Sequence, residues 1–287
     1  MTGTPNAAEA GTIDLGGDLT VNRLGYGAMR ITGSGIWGDP ANVEQAKAAL
    51  RRAVDLGVNF IDTADSYGPD VSETLIGETL YPYPDDLVIA TKGGQVRPGP
   101  GRWEPDGRPE HLREVLEGSL RRLKLDQIPL YQLHRVDPKV PLEESVGALA
   151  ELKDQGKIRH VGLSNVSEEQ FRKAERIVPI VSIQNRYNVT DRSSETIVDL
   201  CEQEQLAFLP WAPISEADDV DVITKVARDH GYSPRQIVLA WLLARSPQML
   251  PIPGSGSPEH VEENVTAATI KLDQGEVAAI TDAYSAN

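Results

Sequence analysis

Eight short apolar runs alternating with helical segments predict an α/β protein, a (β/α)8 TIM barrel forming one domain over residues 1–287. No long linker or low-complexity tract breaks the alternation. The competing fold, a doubly wound open sheet, calls for a glycine-rich fingerprint directly after its first strand. The stretch "LGYGAMR" holds Gly25 and Gly27 but lacks the third glycine.

The elements follow in order. Residues 1–10 lack an apolar pattern and read as a flexible lead-in. "TIDLGG" and "LTVNRL", joined at Gly16-Gly17, read as a hairpin able to plug the barrel bottom. The strand candidates span 24–29, 59–64, 87–92, 129–134, 158–165, 181–188, 207–214 and 249–254. Helical spacing links Val43, Ala46, Leu50 and Val54, and again Leu112, Val115, Leu116 and Leu123. Asp39-Pro40 predicts a helix start and Gly57 its end. Ser167 with Gln170, and Ser233-Pro234 with Gln236, have capping-box spacing, and Ser257-Pro258 opens a later helix. Two helices, 219–230 and 234–245, are expected between the seventh and eighth strands, and a final one over 273–284.

Composition sets the class. Apolar residues at 40% and charged residues at 25% suit a globular core. No apolar run approaches the ~18 residues of a spanning helix. The start, "MTGTPNAAEAG", lacks the basic and apolar regions of a secretory signal. A net charge of -15 argues against nucleic acid and anionic lipid as partners. The single cysteine, Cys201, has neither a disulfide partner nor metal-ligand spacing, and a buried helical thiol in a cytoplasmic protein is expected.

In a barrel of this kind the chemistry sits at the C-terminal strand ends. The polar residues there are Asp62, Lys92, His134, Asn165, Gln184 and Trp211. An unperturbed phenol, with a pKa near 10, is a poor proton donor at neutral pH. An ammonium beside it is expected to lower that pKa, and a carboxylate keeps the ammonium charged and oriented. Tyr67, Lys92 and Asp62 supply the three groups, and an imidazole at His134 could orient a carbonyl oxygen. Asp65, in the same "FIDTADSYG" stretch, is assigned to turn and helix-entry duty.

These motifs resemble the aldo-keto reductase family over nearly the whole chain. The family's Asp, Tyr, Lys and His tetrad falls on Asp62 and Tyr67 in "FIDTADSYG", Lys92 in "IATKGG" and His134 in "YQLHR". The resemblance implies NADPH, with NADH possible, and a small-molecule carbonyl substrate reduced without a metal. It places Asp62, Ser164, Asn165 and Gln184 at the nicotinamide end of the cofactor. Gly27, Ala28 and Met29 follow the first strand along it, as do Trp211, Ala212, Pro213 and Ile214 after the seventh. Gly254, Ser255, Gly256, Ser257 and His260 surround the adenosine phosphate, with Glu263 and Asn264 at the adenine. A monomer or weak homo-oligomer is expected.

Two departures stand out. Trp211 stands where the family usually has a tyrosine that stacks on the nicotinamide. Gly254 and His260 stand where many NADPH-preferring members have lysine and arginine. The Gly-Ser turn running into a helix start offsets this in part, because free N–H groups there favour a phosphate. Tyr26, Met29, Trp37 and Trp103 are the substrate-wall candidates, and the long "GGQVRPGPGRWEPDGRPE" segment is a lid or wall. The chain stops soon after its last helix, which implies an open mouth and large or varied carbonyl substrates.

Two other classes compete. A hydrolase with Asp62 and Asp65 as paired acids fails on geometry, because such pairs come from different strands. A non-catalytic cofactor-binding regulatory subunit of the same fold is the alternative, and the intact tetrad weighs against it.

Overall fold

The computed structural model describes residues 3–214 and 221–283. The strands are β1 (Thr12–Leu15), β2 (Leu19–Asn22), β3 (Tyr26–Gly27), β4 (Phe60–Asp62), β5 (Val88–Gly93), β6 (Gln95–Gly99), β7 (Arg102–Pro105), β8 (Ile128–Leu133), β9 (Ile158–Ser164), β10 (Ile180–Gln184) and β11 (Ala207–Phe208). The helices are α1 (Val43–Asp55), α2 (Val71–Leu80), α3 (Pro109–Leu123), α4 (Leu142–Asp154), α5 (Glu168–Ala174), α6 (Glu195–Glu204), α7 (Asp221–His230), α8 (Pro234–Arg245), α9 (Pro258–Thr266) and α10 (Gln274–Asp282). Positions 219, 220 and 284, at the edges of two expected helices, lie outside the described residues.

A parallel sheet runs β3-β4-β5-β8-β9-β10-β11. The segment 249–253 closes it into a barrel. On one side Phe208 N–H donates to Gln248 O at 2.8 Å and Leu250 N–H to Phe208 O at 2.9 Å. On the other, Gly25 N–H reaches Pro251 O at 2.9 Å and Gly27 N–H reaches Pro253 O at 3.3 Å. Pro251 and Pro253 have no N–H to donate, so this eighth staff of the barrel lacks a regular ladder. The seam is also tight: a Cβ on Gly27 would lie 2.5 Å from Ile252 O, and one on Gly254 2.4 Å from Gly27 O.

Strand parity decides what faces the lumen, because side chains alternate across a strand. Phe60, Val88, Ala90 and Leu130 belong to the inner apolar cluster, with Leu209, Leu250 and Ile252. Ile61, Ile89, Tyr131 and Leu133 pack in the outer layer against the helices. Continuing the inner parity toward the strand ends brings Asp62 after Phe60, Lys92 after Ala90, and Gln132 then His134 after Leu130. The lumen thus passes from an apolar floor to a polar mouth. The β1–β2 hairpin turns at Gly16 and Gly17, both at positive φ. Its Ile13, Leu15 and Val21 join the inner cluster, so the hairpin closes the end opposite the mouth as expected.

Local differences have physical causes. Residues 7–10 are not a free lead-in: they form a 3-10 turn capped by Asn6, with Ala7 fully buried and its N–H bonded to Leu56 O. Helix α1 starts after Asn42, not after Asp39, because the Asn42 side chain accepts from Gln45 N–H. The caps at Ser167, Ser233 and Ser257 form as expected. The long segment after β5 folds into the antiparallel β6–β7 hairpin. Cys201 is buried on α6, and burial pushes its thiol pKa up. No helix among the described residues is long and apolar enough to cross a membrane.

Candidate active site

Lys92, fully buried at the end of β5, organises the mouth. An ammonium has three protons, and here each has an acceptor: Asp62 Oδ2 at 2.6 Å, Thr63 O at 2.9 Å and Tyr67 Oη at 3.3 Å. Such saturation is what lets a charge remain in a dry interior, where an unpaired ion is very costly. Asp62 is equally committed. Its Oδ1 accepts from Gln132 Nε2 at 3.0 Å and Gln184 Nε2 at 2.8 Å, and Gln184 also donates to Gln132 Oε1 at 3.2 Å. The period-two pattern that orients His134 also points Gln132 inward, and that parity is its one signal in the sequence, because a lone glutamine carries no motif.

The electrostatics correct one expectation. Burial raises the Tyr67 pKa above its ordinary value near 10, and the Lys92 charge opposes this only in part. Tyr67 is therefore a neutral phenol at physiological pH rather than an acid tuned downward. Burial alone would pull Lys92 down, but the Asp62 carboxylate and the Tyr67 oxygen outweigh it, and the ammonium titrates above the usual lysine range. Burial, with Lys92 and Arg135 nearby, holds His134 well below the ordinary imidazole value, so the ring is neutral. Its Nδ1 lies 3.3 Å from Ser66 Oγ, and its ring packs edge-on to Tyr67 at 5.8 Å and to Trp103 at 6.4 Å.

Asn165 ties three strand ends together from a left-handed conformation, φ 58°. Its Nδ2 donates to His134 O at 3.2 Å and Ser164 Oγ at 2.9 Å, while its Oδ1 accepts from Trp211 Nε1 at 3.1 Å. The indole of Trp211 is thereby held against the end of β9, two strands away.

These groups open on one cavity of about 740 Å³, within the usual range for small-molecule sites. Asp62, Tyr67, His134, Ser164, Asn165, Gln184 and Trp211 line it, with Gly27, Met29, Trp103, Ala212, Pro213, Ile214 and Gly254. Ser255, His260, Glu263 and Asn264 line an adjoining smaller pocket that shares Ile214 and Gly254. Lys92 sits behind Tyr67 rather than on the surface. Gly256 and Ser257 belong to the intervening turn, and the Ser257 hydroxyl caps α9. Ala28 is buried, with its carbonyl accepting from Ser72 Oγ at 3.0 Å.

Two of the four wall candidates, Tyr26 and Trp37, do not line this cavity, whereas Met29 does. Tyr26 is buried outside the lumen, its phenol donating to Ser255 O, so it braces the turn instead of meeting a substrate. Trp37 is half-buried, with the Arg97 guanidinium 5.6 Å from the centre of its ring. Trp103, on β7, does face the cavity. Asp65 is buried with Oδ1 unpartnered among the described residues, while its carbonyl accepts from Asp70 N–H. Burial and the nearby Glu73 raise its pKa well above the carboxylate range. Its turn duty is thus carried by the backbone. Gln95, Arg30, Arg135, Pro105 and Ile252 also line the cavity without having been singled out from sequence. Among the described residues no cluster of three or more His, Cys, Asp or Glu is arranged to hold a metal.

The chain resembles known proteins over most of its length. A model described as "Aldo/keto reductase family" matches residues 23–285. The chain is 50% identical over 270 residues to an uncharacterized oxidoreductase of Schizosaccharomyces pombe, covering 93% of this chain and 88% of that one. It is 40% identical over 277 residues to pyridoxine 4-dehydrogenase of Escherichia coli, covering 94% and 96% respectively. Among solved structures, the thermostable aldo-keto reductase Tm1743 superimposes with a TM-score of 0.84 at 32% identity, covering 95% of this chain and 99% of that one. An aldo-keto reductase from Klebsiella pneumoniae, in complex with NADPH, gives a TM-score of 0.81 at 28% identity, covering 95% and 94%.

Proposed function

The chain belongs to the aldo/keto reductase family, and on that premise we propose that it is an NADPH-dependent oxidoreductase that reduces aldehydes or ketones to alcohols, with Tyr67 as proton donor. One observation carries the reading. Lys92 bonds both Asp62 and Tyr67 at the buried end of a cavity that Tyr67 and His134 line. NADPH is suggested by the Klebsiella pneumoniae neighbour, which is solved with it.

The residues present fit such a cofactor. Ser164, Asn165 and Gln184 would hold its carboxamide and Trp211 would offer a stacking face. Gly27 and Gly254 line the main cavity on the side that leads to the smaller pocket, where Glu263 and Asn264 would meet the adenine. When bound, the reduced nicotinamide supplies the hydride. The chain supplies placement and charge. Tyr67 O–H gives its proton to the carbonyl oxygen as the carbon is reduced. Lys92, already bonded to that phenol, stabilises the phenolate left behind, and Asp62 keeps Lys92 charged. Neutral His134 can donate a ring N–H to the same oxygen and orient it.

The test is direct. Protein, NADPH and an activated aromatic aldehyde are mixed and nicotinamide absorbance is followed. Loss of absorbance that vanishes in Tyr67→Phe supports the reading. Tight NADPH binding with no turnover over a broad carbonyl panel would replace it with the regulatory-subunit reading. The panel includes pyridoxine with NADP+, because the Escherichia coli relative is named for that alcohol.

A further inference from the structure

We propose that Arg235, on the first turn of α8, supplies the cation that grips the 2′-phosphate of NADPH and so sets the preference for NADPH over NADH. This inference rests on the reading of the chain as an NADPH enzyme and names the residue that would make it one.

The problem is a charge deficit at the expected place. The turn after the eighth staff has Gly254 where a lysine could stand, and α9 has His260 where an arginine could stand. Neither glycine nor an imidazole has the planar fork of N–H donors with which a guanidinium bonds phosphate bidentately.

The fold brings another residue to the same spot. The main cavity reaches Ile214 and Gly254, and the smaller pocket starts from those two residues. A molecule with its reactive end at Tyr67 would therefore pass between them. The smaller pocket is walled by Ser255, His260 and Glu263 on one side and by Arg235 from α8 on the other. Among the described residues lining it, Arg235 carries the one permanent positive charge. Glu263 brings a negative charge to the same pocket, which would repel a phosphate if no cation opposed it. A carboxylate suits the hydroxyl and amino donors of a nucleoside instead.

The two helices are also held in register. Gln236, next to Arg235, donates from Nε2 to Glu263 O at 2.9 Å, and its Oε1 accepts from Ser233 N–H at 2.9 Å. Arg235 is thereby delivered from a fixed helix start, not from a loop. The Ser255 end is fixed too: Tyr26 donates to Ser255 O, and Ser257 N–H donates to Ser255 Oγ at 3.0 Å. A phosphate entering this pocket would meet one guanidinium, the Ser255 hydroxyl and the His260 ring.

Fluorescence titration of the full chain with NADPH and with NADH, in parallel, tests the assignment without turnover. In Arg235→Gln the NADPH Kd is expected to rise about 10–100-fold, the loss of one charge-assisted contact, while the NADH Kd stays within about twofold. Arg235→Lys should recover part of the loss, since it keeps the charge without the fork. Thermal melts of both variants check that the fold is intact, and the exposed position makes collapse unexpected. If wild type prefers NADPH and Arg235→Gln keeps that preference, the assignment of Arg235 is overturned while the NADPH reading stands. If wild type shows no preference for NADPH, both fall.

Discussion

Lys92 donates to Asp62 at 2.6 Å with both side chains buried, at the C-terminal ends of adjacent strands β5 and β4. Removing one partner leaves the other as an uncompensated charge in a dry site. Asp62→Ala is expected to destabilise the protein by about 3–5 kcal/mol, because Lys92 would lose its counter-charge. The double variant Asp62→Leu with Lys92→Met should recover most of that stability while remaining inactive. Urea unfolding of the single and double variants, beside an activity assay, measures both effects. A double variant less stable than either single variant would contradict this picture of the pair.

Tyr67→Phe should lower carbonyl reduction by about 10²–10⁴-fold, the typical contribution of a general acid, with NADPH affinity nearly unchanged. The pH profile carries a separate expectation. Tyr67 keeps its proton below a pKa raised above 10, and His134 stays neutral above a pKa depressed below 6.5. Neither group changes state between those limits. The reductive kcat/KM should therefore be flat from about pH 6.5 to about pH 10. A limb with an apparent pKa near 7 to 8 would show that a different group controls the step.

Asp65→Asn separates the two acids of "FIDTADSYG". The folded-state pKa of Asp65 is raised, so its contribution to stability is fully present below the unfolded value near 3.9 and is lost as pH rises through the folded pKa. Asparagine cannot ionise. The variant should gain stability relative to wild type as pH rises from 4 toward 8, with kcat close to wild type. Denaturant unfolding at several pH values tests this. A large fall in kcat would return Asp65 to the chemistry.

Arg97 fixes the aromatic wall. Its guanidinium donates to Gly35 O, Ile36 O, Ser66 O and Arg102 O at 2.7 to 3.2 Å and lies 3.6 Å from the centre of the Trp103 ring. Arg97→Ala removes both the stack and the clasp between the β6–β7 hairpin and the loop carrying Tyr67. The KM for an aromatic aldehyde should rise several-fold, with little change in NADPH Kd. Arg97→Lys should behave nearly like alanine, since one ammonium cannot reach four carbonyls and stack as well. An unchanged KM in both variants would mean that Trp103 is held by something else.

The sequence by itself determined the order of elements, the helix caps at Ser167, Ser233 and Ser257, and the strand ends that carry polar residues. These are local properties: period-two and helical spacing, turn residues and capping side chains act within a few positions. It also pointed to Asp62, Tyr67, Lys92 and His134, because their spacing matches a family motif. The tertiary structure decided whatever depends on closure of the barrel. Only there does Gln132 meet Asp62 across the lumen, and only there does burial outweigh Lys92 in raising the Tyr67 pKa. Tyr26 turned away from the substrate wall because the β3 parity that points Gly27 at the seam sends the preceding side chain outward, beneath the Ser255 turn. Arg235 came to line the smaller pocket because α8 and α9, distant in sequence from the strands that carry Asp62 and Lys92, pack side by side where the ring closes.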